Sequence, residues 1–302
     1  GKFYYARAHD VPQEHSTLSA AMNNSKSSQT FKLCQNYSLE TNLDFSNQLK
    51  KKFEITTGNT LTLNSYWVKG KIYLNGSLSP YIIISDPSNG IVGLYPTLEV
   101  AFQNVLPGQI IIVQSNLTFS NGITIPSGKS VQINACTISS TGSIVVNGSL
   151  SCNGTTFNFS GGGISVTNPG SLNLSNCVID GATTGVYLNN TSSTITNCRF
   201  TNGSIGVNTA NYSNAFIRPC LFENNDYGIY IDASSAPICG GSSSFRNNSW
   251  DIYSAGSNSI YALGNYWGIC TPTPVVTDNV DYSNYICSDP FLKIKNFDNQ
   301  LI

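Results

Sequence analysis

The sequence has little charge for its length. Only 10% of the 302 residues are Asp, Glu, Lys or Arg, and the net charge is −1, whereas charged residues make up about 25% of a typical soluble domain. Nucleic-acid binders usually carry basic stripes, and here the basic run Lys50-Lys51-Lys52 indicates a solvated surface. Disordered chains are poor in aromatic residues. Aromatic residues reach 11%, so the composition predicts a folded protein that does not bind nucleic acid.

Long apolar runs and the common metal and nucleophile motifs are also missing from the sequence. The longest runs, residues 81–84 and 110–113, fall far short of the roughly 20 residues that cross a bilayer, so we predict no transmembrane segment. His9 and His15 are the only histidines and have no third partner, so we predict no metal site. No Gly-x-Ser-x-Gly motif of a serine hydrolase occurs, and we expect no cofactor.

What the sequence does contain is a repeat of about 22 residues. Cys177, Cys198 and Cys220 are 21 and 22 residues apart. A large apolar residue lies two positions after each cysteine, and a glycine followed by a β-branched residue begins eight positions after it. With Thr155 and Ser243 in the cysteine position of adjacent units, and an earlier unit at Cys136, six units can be recognised. The repeated residues are Ile179, Phe200 and Phe222; Gly185, Gly206 and Gly228; and Val186, Val207 and Ile229.

The repeat predicts an all-β fold, a solenoid of stacked parallel strands. A unit of this length cannot bury its own apolar face, so the units must stack, and equivalent residues in neighbouring coils lie about 4.8 Å apart. Each cysteine shares a face with the apolar residue two positions later. We therefore interpret the cysteines as small buried hydrophobic residues, with disulfides between neighbouring coils as the alternative.

A second column of the repeat predicts a sharp turn. Asparagine tolerates the left-handed backbone conformation and can bond to the asparagine of the next coil. The column therefore indicates an asparagine ladder at a turn. We interpret this ladder as structural and not as a binding site. Its residues are Gly181, Asn202, Asn224 and Asn247.

The sequence divides into three parts by its patterns. Residues 1–90 are a β-rich segment of unknown type, in which residues 54–79 echo the strands of the later repeat. Residues 91–269 form the solenoid. It opens with a short helix over residues 96–102, capped by Thr97 and ended by Pro107-Gly108, and this helix can cover the open end of the stack. Residues 270–302 form a C-terminal capping tail.

Three segments resemble the right-handed parallel β-helix repeat proteins, the pectin-lyase-like or NosD-like superfamily. The entry Tyr95-Pro96-Thr97-Leu98 resembles the capping helix of that family, and the Asn-rich coils from Cys136 to Trp250 resemble its repeats. The exit Gly264-Asn265-Tyr266-Trp267-Gly268, with Asp281-Tyr282 and Asp289-Pro290, resembles its last coil and tail. The resemblance covers residues 92–290 and implies a right-handed β-helix, but this fold supports many functions.

The resemblance also raises an enzymatic alternative, a polysaccharide lyase or glycoside hydrolase. Such enzymes use clustered carboxylates, with calcium in the lyases and with paired acids in the hydrolases. Asp180 and Glu223 share a column two coils apart, about 9.6 Å by strand spacing, which suits an inverting pair. They lie beside the asparagine turn with Arg246 next in the column, so we favour solvated turn charges and predict no catalytic residue. The other coil carboxylates are Asp226, Asp232 and Asp251.

The best candidate site is an outward aromatic row. Residues that directly follow the inward β-branched column must point outward, and outward aromatic rings can stack on sugars or pack against a partner. The alternative is a tyrosine ladder that only shields the strand backbone. The predicted ligand-binding residues are Tyr187, Asn208, Tyr227, Tyr230, Asp232, Trp250 and Tyr253.

These patterns lead to one functional prediction. We expect a non-catalytic extracellular or cell-surface protein that presents a binding surface to a polysaccharide or to a cell-surface protein. A polysaccharide lyase or hydrolase is one alternative, and a structural component of a surface assembly is another. Because Cys270 and Cys287 lie outside the repeat, we predict that they form a disulfide in an oxidising compartment.

Overall fold

A computed structural model describes residues 3–5, 13–15, 18, 30–33, 36–47, 52–268 and 274–291, with the backbone alone for 3–5 and 13–15. Strands make up 49% of the chain and helix 3%, which confirms the all-β prediction. The chain forms two compact units. The first is Gly1–Ser115 with Lys129–Gln132, and the second is Asn116–Gly128 with Ile133–Ile302. His9, Lys50, Lys51 and Cys270, which the sequence analysis singled out, lie outside the described residues.

The first unit contains parallel coils followed by an antiparallel ribbon. Its strands are β1 Phe3–Tyr5, β2 Gln13–His15, β3 Thr30–Leu33, β4 Tyr37–Ser38, β5 Leu43–Asp44, β6 Lys52–Ile55, β7 Thr60–Thr62, β8 Val68–Leu74, β9 Ser77–Ser79, β10 Ile82–Asp86, β11 Gly90–Leu94 and β12 Ile110–Val113. Strands β3, β6 and β8 pair in parallel, and so do β4, β7 and β9. Strands β8, β11, β10 and β12 pair antiparallel in that order. The strands within 54–79 therefore have the coil design that the sequence predicted.

The predicted helix is present one or two residues later than expected. Helix α1 spans Leu98–Asn104, and the Thr97 hydroxyl accepts a hydrogen bond from the backbone N–H of Val100 at 3.3 Å. This bond satisfies one of the N–H groups that have no partner inside a helix. Leu98 and Ala101 are buried on the inner face of the helix.

The second unit is built from three columns of parallel strands. The first sheet contains β13 Leu117–Phe119, β16 Thr137–Ser140, β19 Thr156–Phe159, β22 Val178–Asp180, β25 Cys198–Thr201, β28 Cys220–Glu223 and β30 Ser244–Arg246. The second sheet contains β14 Ile123–Ile125, β17 Ile144–Val146, β20 Ile164–Thr167, β23 Thr184–Asn189, β26 Ile205–Ala210, β29 Tyr227–Ile231 and β31 Trp250–Ser254. The third column contains β18 Ser149–Asn153, β21 Ser171–Ser175, β24 Thr194–Thr196 and β27 Phe216–Ile217; β15 Ser130–Asn134 has residues 130–132 in the first unit and residues 133–134 in this one. A short parallel pair, β32 Ile260–Tyr261 and β33 Val280–Asp281, follows.

The strand register confirms the repeat residue by residue. On the first sheet the apolar column is continuous through Phe157, Ile179, Phe200, Phe222 and Phe245, and every member is at most 1% exposed. The rings of Phe200 and Phe222 stack with centroids 5.1 Å apart, and those of Phe222 and Phe245 with centroids 5.0 Å apart. The second unit therefore has a continuous apolar core that runs along its axis.

An aromatic residue ends this stack at the C-terminal side. The Trp267 ring stacks on Phe245 with centroids 4.7 Å apart, and the Tyr282 ring contacts Trp267 edge-on at 6.3 Å. Arg246 pairs with the buried Asp289. These contacts place the residues of the predicted exit motif over the last Phe of the column.

The cysteine ladder, Cys177, Cys198 and Cys220, is buried as predicted. All three thiols are free, their residues are at most 1% exposed, and Cys198 is the direct strand partner of Cys220. A hydrogen bond with Cys198 and burial raise the pKa of the Cys177 thiol. The proposed pairing of Cys270 with Cys287 stays a prediction, because Cys270 lies outside the described residues.

The asparagine column forms the predicted turn ladder. Asn202, Asn224 and Asn247 have φ of 56°, 57° and 52°, the left-handed region that asparagine tolerates better than most residues. The Asn202 amide donates to Asp180 at 2.7 Å, and the Asn247 amide donates to Asn224 at 3.3 Å. The column therefore has a structural role.

Candidate functional site

The predicted aromatic row lies along the second sheet of the second unit. Strand register places Ser165, Tyr187, Asn208, Tyr230 and Tyr253 side by side on successive coils. The residue before each member of the row from position 187 onward is fully buried, so the row faces outward. Those inward residues are Val186, Val207, Ile229 and Ile252.

The tyrosine rings of this row are half-buried, whereas an outward row was expected to be solvent-exposed. For Tyr230 and Tyr253 the physical reason is that they pack within a group of four rings. Tyr230 and Tyr253 stack with centroids 5.1 Å apart and an interplanar angle of 22°. Tyr227 meets both of them edge-on, and Trp250 meets Tyr253 edge-on at 5.3 Å. We call Tyr227, Tyr230, Trp250 and Tyr253 the aromatic cluster.

Tyr187 stands apart from the aromatic cluster. Its neighbours in the row are Ser165 on one side and Asn208 on the other, which are small or polar side chains. A cavity of about 330 Å³ opens beside it. The cavity is lined by Ser143, residues 162–165, Thr183, Thr184 and Tyr187.

The shape of this cavity depends on close backbone packing. A Cβ added at Gly163 would lie 1.7 Å from the carbonyl oxygen of Thr184, so only glycine allows the two coils to approach this closely. The lining groups are hydroxyls, backbone groups and the Tyr187 ring. None of them is charged, and the arrangement suits a neutral ligand with many hydroxyl groups.

Asp232 was predicted to bind ligand, but its carboxylate is occupied within a turn. It accepts hydrogen bonds from the backbone N–H of Asn211 at 2.7 Å, from the backbone N–H of Ser234 and Ser235, and from the Ser234 hydroxyl. Partial burial would raise the pKa of Asp232, but these hydrogen bonds outweigh it and hold the pKa below the ordinary value. These contacts make Asp232 a turn-forming residue that joins neighbouring coils.

The carboxylates of the enzymatic alternative are also engaged by neighbouring side chains. Glu223 accepts a hydrogen bond from Arg199 at 2.7 Å and pairs with Arg246 at 3.8 Å. The Asp180 carboxylate accepts a hydrogen bond from the Asn202 amide. Asp251 is buried, which raises its pKa, and it accepts hydrogen bonds from the Asn248 amide and the backbone N–H of residue 275.

Neither a cluster of metal ligands nor a membrane-spanning helix occurs in the part of the chain that the structure describes. Within it, no group of three or more His, Cys, Asp and Glu residues is arranged to hold a metal ion. Across the same residues, no helix is long and apolar enough to cross a bilayer.

Comparison with known families agrees with this geometry. The family model described as the right-handed β-helix region matches residues 122–286, more than half of the chain. The chain belongs to the right-handed β-helix family. The matched segment of the β-helix includes the whole aromatic row and the cavity beside Tyr187. Comparisons with curated proteins and with solved structures gave no match. Because this fold supports many functions, the function must be argued from the site.

Sequence reasoning found the row of the β-helix but missed the cavity. The row follows from the period, whereas the cavity depends on how the turns at residues 143, 162–163 and 183–184 curve. One signal was present. Ser165 occupies the position of the row next to Tyr187, and a small residue at that position leaves space beside the last ring.

Proposed function

We propose that this β-helix is a non-catalytic protein, secreted or held at the cell surface, which binds a neutral glycan along its second sheet. The observation that carries this proposal is the cavity of about 330 Å³ that opens against the Tyr187 ring. It lies at the end of an outward row that continues through Asn208 to the aromatic cluster.

The chemistry of the lining supports a sugar. Binding sites combine apolar and aromatic surface with a few polar groups that fix the orientation of the ligand. Here the Tyr187 ring provides an aromatic wall, and the hydroxyls of Ser143, Ser165, Thr183 and Thr184 can donate and accept hydrogen bonds. Because the lining has no cation to pair with a carboxylate or sulfate, we propose an uncharged glycan.

The aromatic cluster extends this surface in a different way. Tyr230 and Tyr253 cover each other's faces, so they offer ring edges and hydroxyl groups in place of open stacking faces. The row spans three coil steps from Tyr187 to Tyr253, about 14 Å by strand spacing. A linear glycan that stacks on Tyr187 would therefore continue over Asn208 and the cluster.

The engaged carboxylates favour binding over catalysis. A glycosidase needs one carboxylic acid to protonate the leaving oxygen and a second carboxylate to act on the opposite side of the bond. Of the pair considered for an inverting mechanism, Glu223 is paired with two arginines, and Asp180 accepts a hydrogen bond from the Asn202 amide. Both carboxylates have structural partners, which supports a non-catalytic function.

A glycan array followed by titration tests the proposal. We expect Tyr187→Ala to weaken binding of the best neutral glycan by roughly 2- to 10-fold, because one stacked ring contributes about 0.5–1.5 kcal/mol. Tyr261→Ala is the matched control, since Tyr261 is 62% exposed and lies outside both the row and the cavity. Equal binding by the wild type and Tyr187→Ala would refute the site, and a preference for acidic glycans would refute the neutral ligand.

A further inference from the structure

A second cavity of the β-helix lies at a turn that follows the second sheet. The turn joins β23, which ends at Asn189, to β24, which begins at Thr194. The cavity has a volume of about 410 Å³, within the range of ligand sites. Its lining includes residues 168–170, residues 190–192 and Tyr212 from three successive coils, and none of these side chains is charged.

The rim of this cavity contains three acceptor sequences for N-linked glycans, two of which overlap. The pattern Asn-x-Ser/Thr without Pro at x marks such acceptors, and it occurs thirteen times in the chain. Asn211-Tyr212-Ser213 is one of them, but the Asn211 amide already donates a hydrogen bond to the Asn189 side chain. Asn189-Asn190-Thr191 and Asn190-Thr191-Ser192 are the overlapping pair. The pattern alone does not select an acceptor, so the surroundings of the two asparagines must decide.

Only one of the two asparagines is suited to carry a sugar. Asn189 is half-buried as the last residue of β23, and its side chain accepts a hydrogen bond from the Asn211 amide at 2.8 Å. Asn190 is exposed, has φ of 52° and lines the cavity. A sugar on the Asn190 amide would therefore begin at the rim of the cavity without disturbing the Asn189–Asn211 hydrogen bond.

Tyr212 gives the cavity an aromatic wall. Its side chain is 73% exposed, and its backbone φ is 66°. A large residue in the left-handed region is uncommon and strained, so packing alone does not account for a tyrosine here. An exposed ring beside a neutral cavity suits the apolar face of a sugar ring.

We propose that Asn190 carries an N-linked glycan and that its first sugar lies in this cavity against Tyr212. The inference rests on the secreted or cell-surface location in the proposed function. The donor is a lipid-diphosphate-linked oligosaccharide with N-acetylglucosamine at its reducing end. The Asn190 Nδ2 forms a bond to C1 of that sugar while the bond from C1 to the phosphate oxygen breaks. The lipid diphosphate leaves with the electron pair of that bond, and the amide loses one proton to a base of the transferring enzyme.

The first experiment identifies the acceptor. The full chain is secreted from glycosylating eukaryotic cells, and each sequon is mapped by mass spectrometry after enzymatic deglycosylation, which converts an occupied Asn to Asp. We expect Asn190 to be occupied. Ser192→Ala destroys only the Asn190 sequon, so it should remove the modification from the 189–192 peptide. Asn189→Gln destroys only the other sequon and is the matched control that should keep it.

The second experiment tests whether the sugar lies on Tyr212. The rate of enzymatic release of the Asn190 glycan is measured on the folded protein. Tyr212→Ala should raise this rate roughly two- to tenfold, the factor expected for one stacked ring. Asn173, which is exposed on β21 outside this cavity, provides the comparison, and any glycan there should be released at the same rate in both proteins.

Each result decides a separate point. An unmodified Asn190, or modification that survives Ser192→Ala, would overturn the assignment of the acceptor. A release rate that does not change in Tyr212→Ala would overturn the placement of the sugar in the cavity. Neither result depends on Tyr187. Glycan binding that is weakened in Tyr187→Ala together with an unmodified Asn190 would therefore support the proposed function and reject this inference.

Discussion

Replacing Gly206 with alanine tests how closely neighbouring coils of the β-helix approach. A Cβ at this position would lie 2.5 Å from the carbonyl oxygen of Gly228, 2.8 Å from Cδ1 of Phe222 and 3.2 Å from Cβ of Phe200. All three distances are shorter than ordinary van der Waals contact, and two of the three atoms belong to the stacked column of the core. The added methyl group must therefore push apart two coils, their ring stack or both.

The expected cost follows from two opposing terms. Overpacking a well-packed interior destabilises a protein by about 1–3 kcal/mol. Alanine also reduces the conformational entropy of the unfolded chain, which stabilises the folded protein by about 0.4–1 kcal/mol where the backbone conformation suits alanine. We therefore expect Gly206→Ala to lower the free energy of unfolding by about 1–2 kcal/mol.

Urea unfolding followed by circular dichroism measures this change. Gly161→Ala is the control, because its added Cβ would lie 3.0 Å from the carbonyl oxygen of Thr141 and meet no other atom within 4 Å. We expect the control to lose less than about 1 kcal/mol. The glycine column, Gly185, Gly206 and Gly228, is explained by the close contact between neighbouring coils. If Gly206→Ala were as stable as the wild type within about 0.5 kcal/mol, this explanation would be wrong.

Further measurements test other parts of the second unit. A thiol reagent should not label the cysteine ladder in the native protein, and native labelling of all three thiols would refute their burial. Phe222→Ala should destabilise by about 3–5 kcal/mol, measured as for Gly206→Ala, because it removes a buried ring that stacks on both sides. Burial raises the pKa of Asp251, so the folded protein holds the proton of this carboxyl more tightly than the unfolded chain does. The resulting stabilisation of the fold is complete below about pH 3.9, the ordinary pKa of Asp, and is lost as pH rises through the raised pKa. Asp251→Asn should make the pH dependence of the melting temperature flatter, and an unchanged pH profile would contradict this. Mass spectrometry of a non-reduced digest should find the Cys270–Cys287 peptide, and its absence from freshly secreted protein would remove that prediction.

The periodic features of the second unit could be predicted from the sequence alone. A coil repeat determines which residues become strand partners, so the inward column of Phe200 and Phe222 and the outward row of Tyr187 follow from spacing. The turn residue Asn224 follows for the same reason, because its left-handed backbone recurs once in each coil. In each case the position in the repeat determines the environment.

Features that depend on side-chain conformation could not be predicted from the sequence. Spacing places Tyr230 and Tyr253 in one row, but their mutual stacking, which leaves them half-buried, depends on rotamers. The occupied carboxylate of Asp232 depends on hydrogen bonds across two coils. The cavity beside Tyr187 depends on the path of turns that differ in length from coil to coil, and the period carries no information about them.

The glycine column has a consequence for how the β-helix can change its length. Three successive steps between coils use equivalent positions, with Gly185 facing Gly206, Gly206 facing Gly228 and Gly228 facing Asp251. If one complete coil were removed, the two coils on either side of it would meet through equivalent positions. If only a few residues were removed, side chains would instead lie against backbone carbonyls. Whole coils can therefore be gained or lost in evolution, which changes the length of the outward row by one position at a time, while the turns that bear the cavities vary between coils.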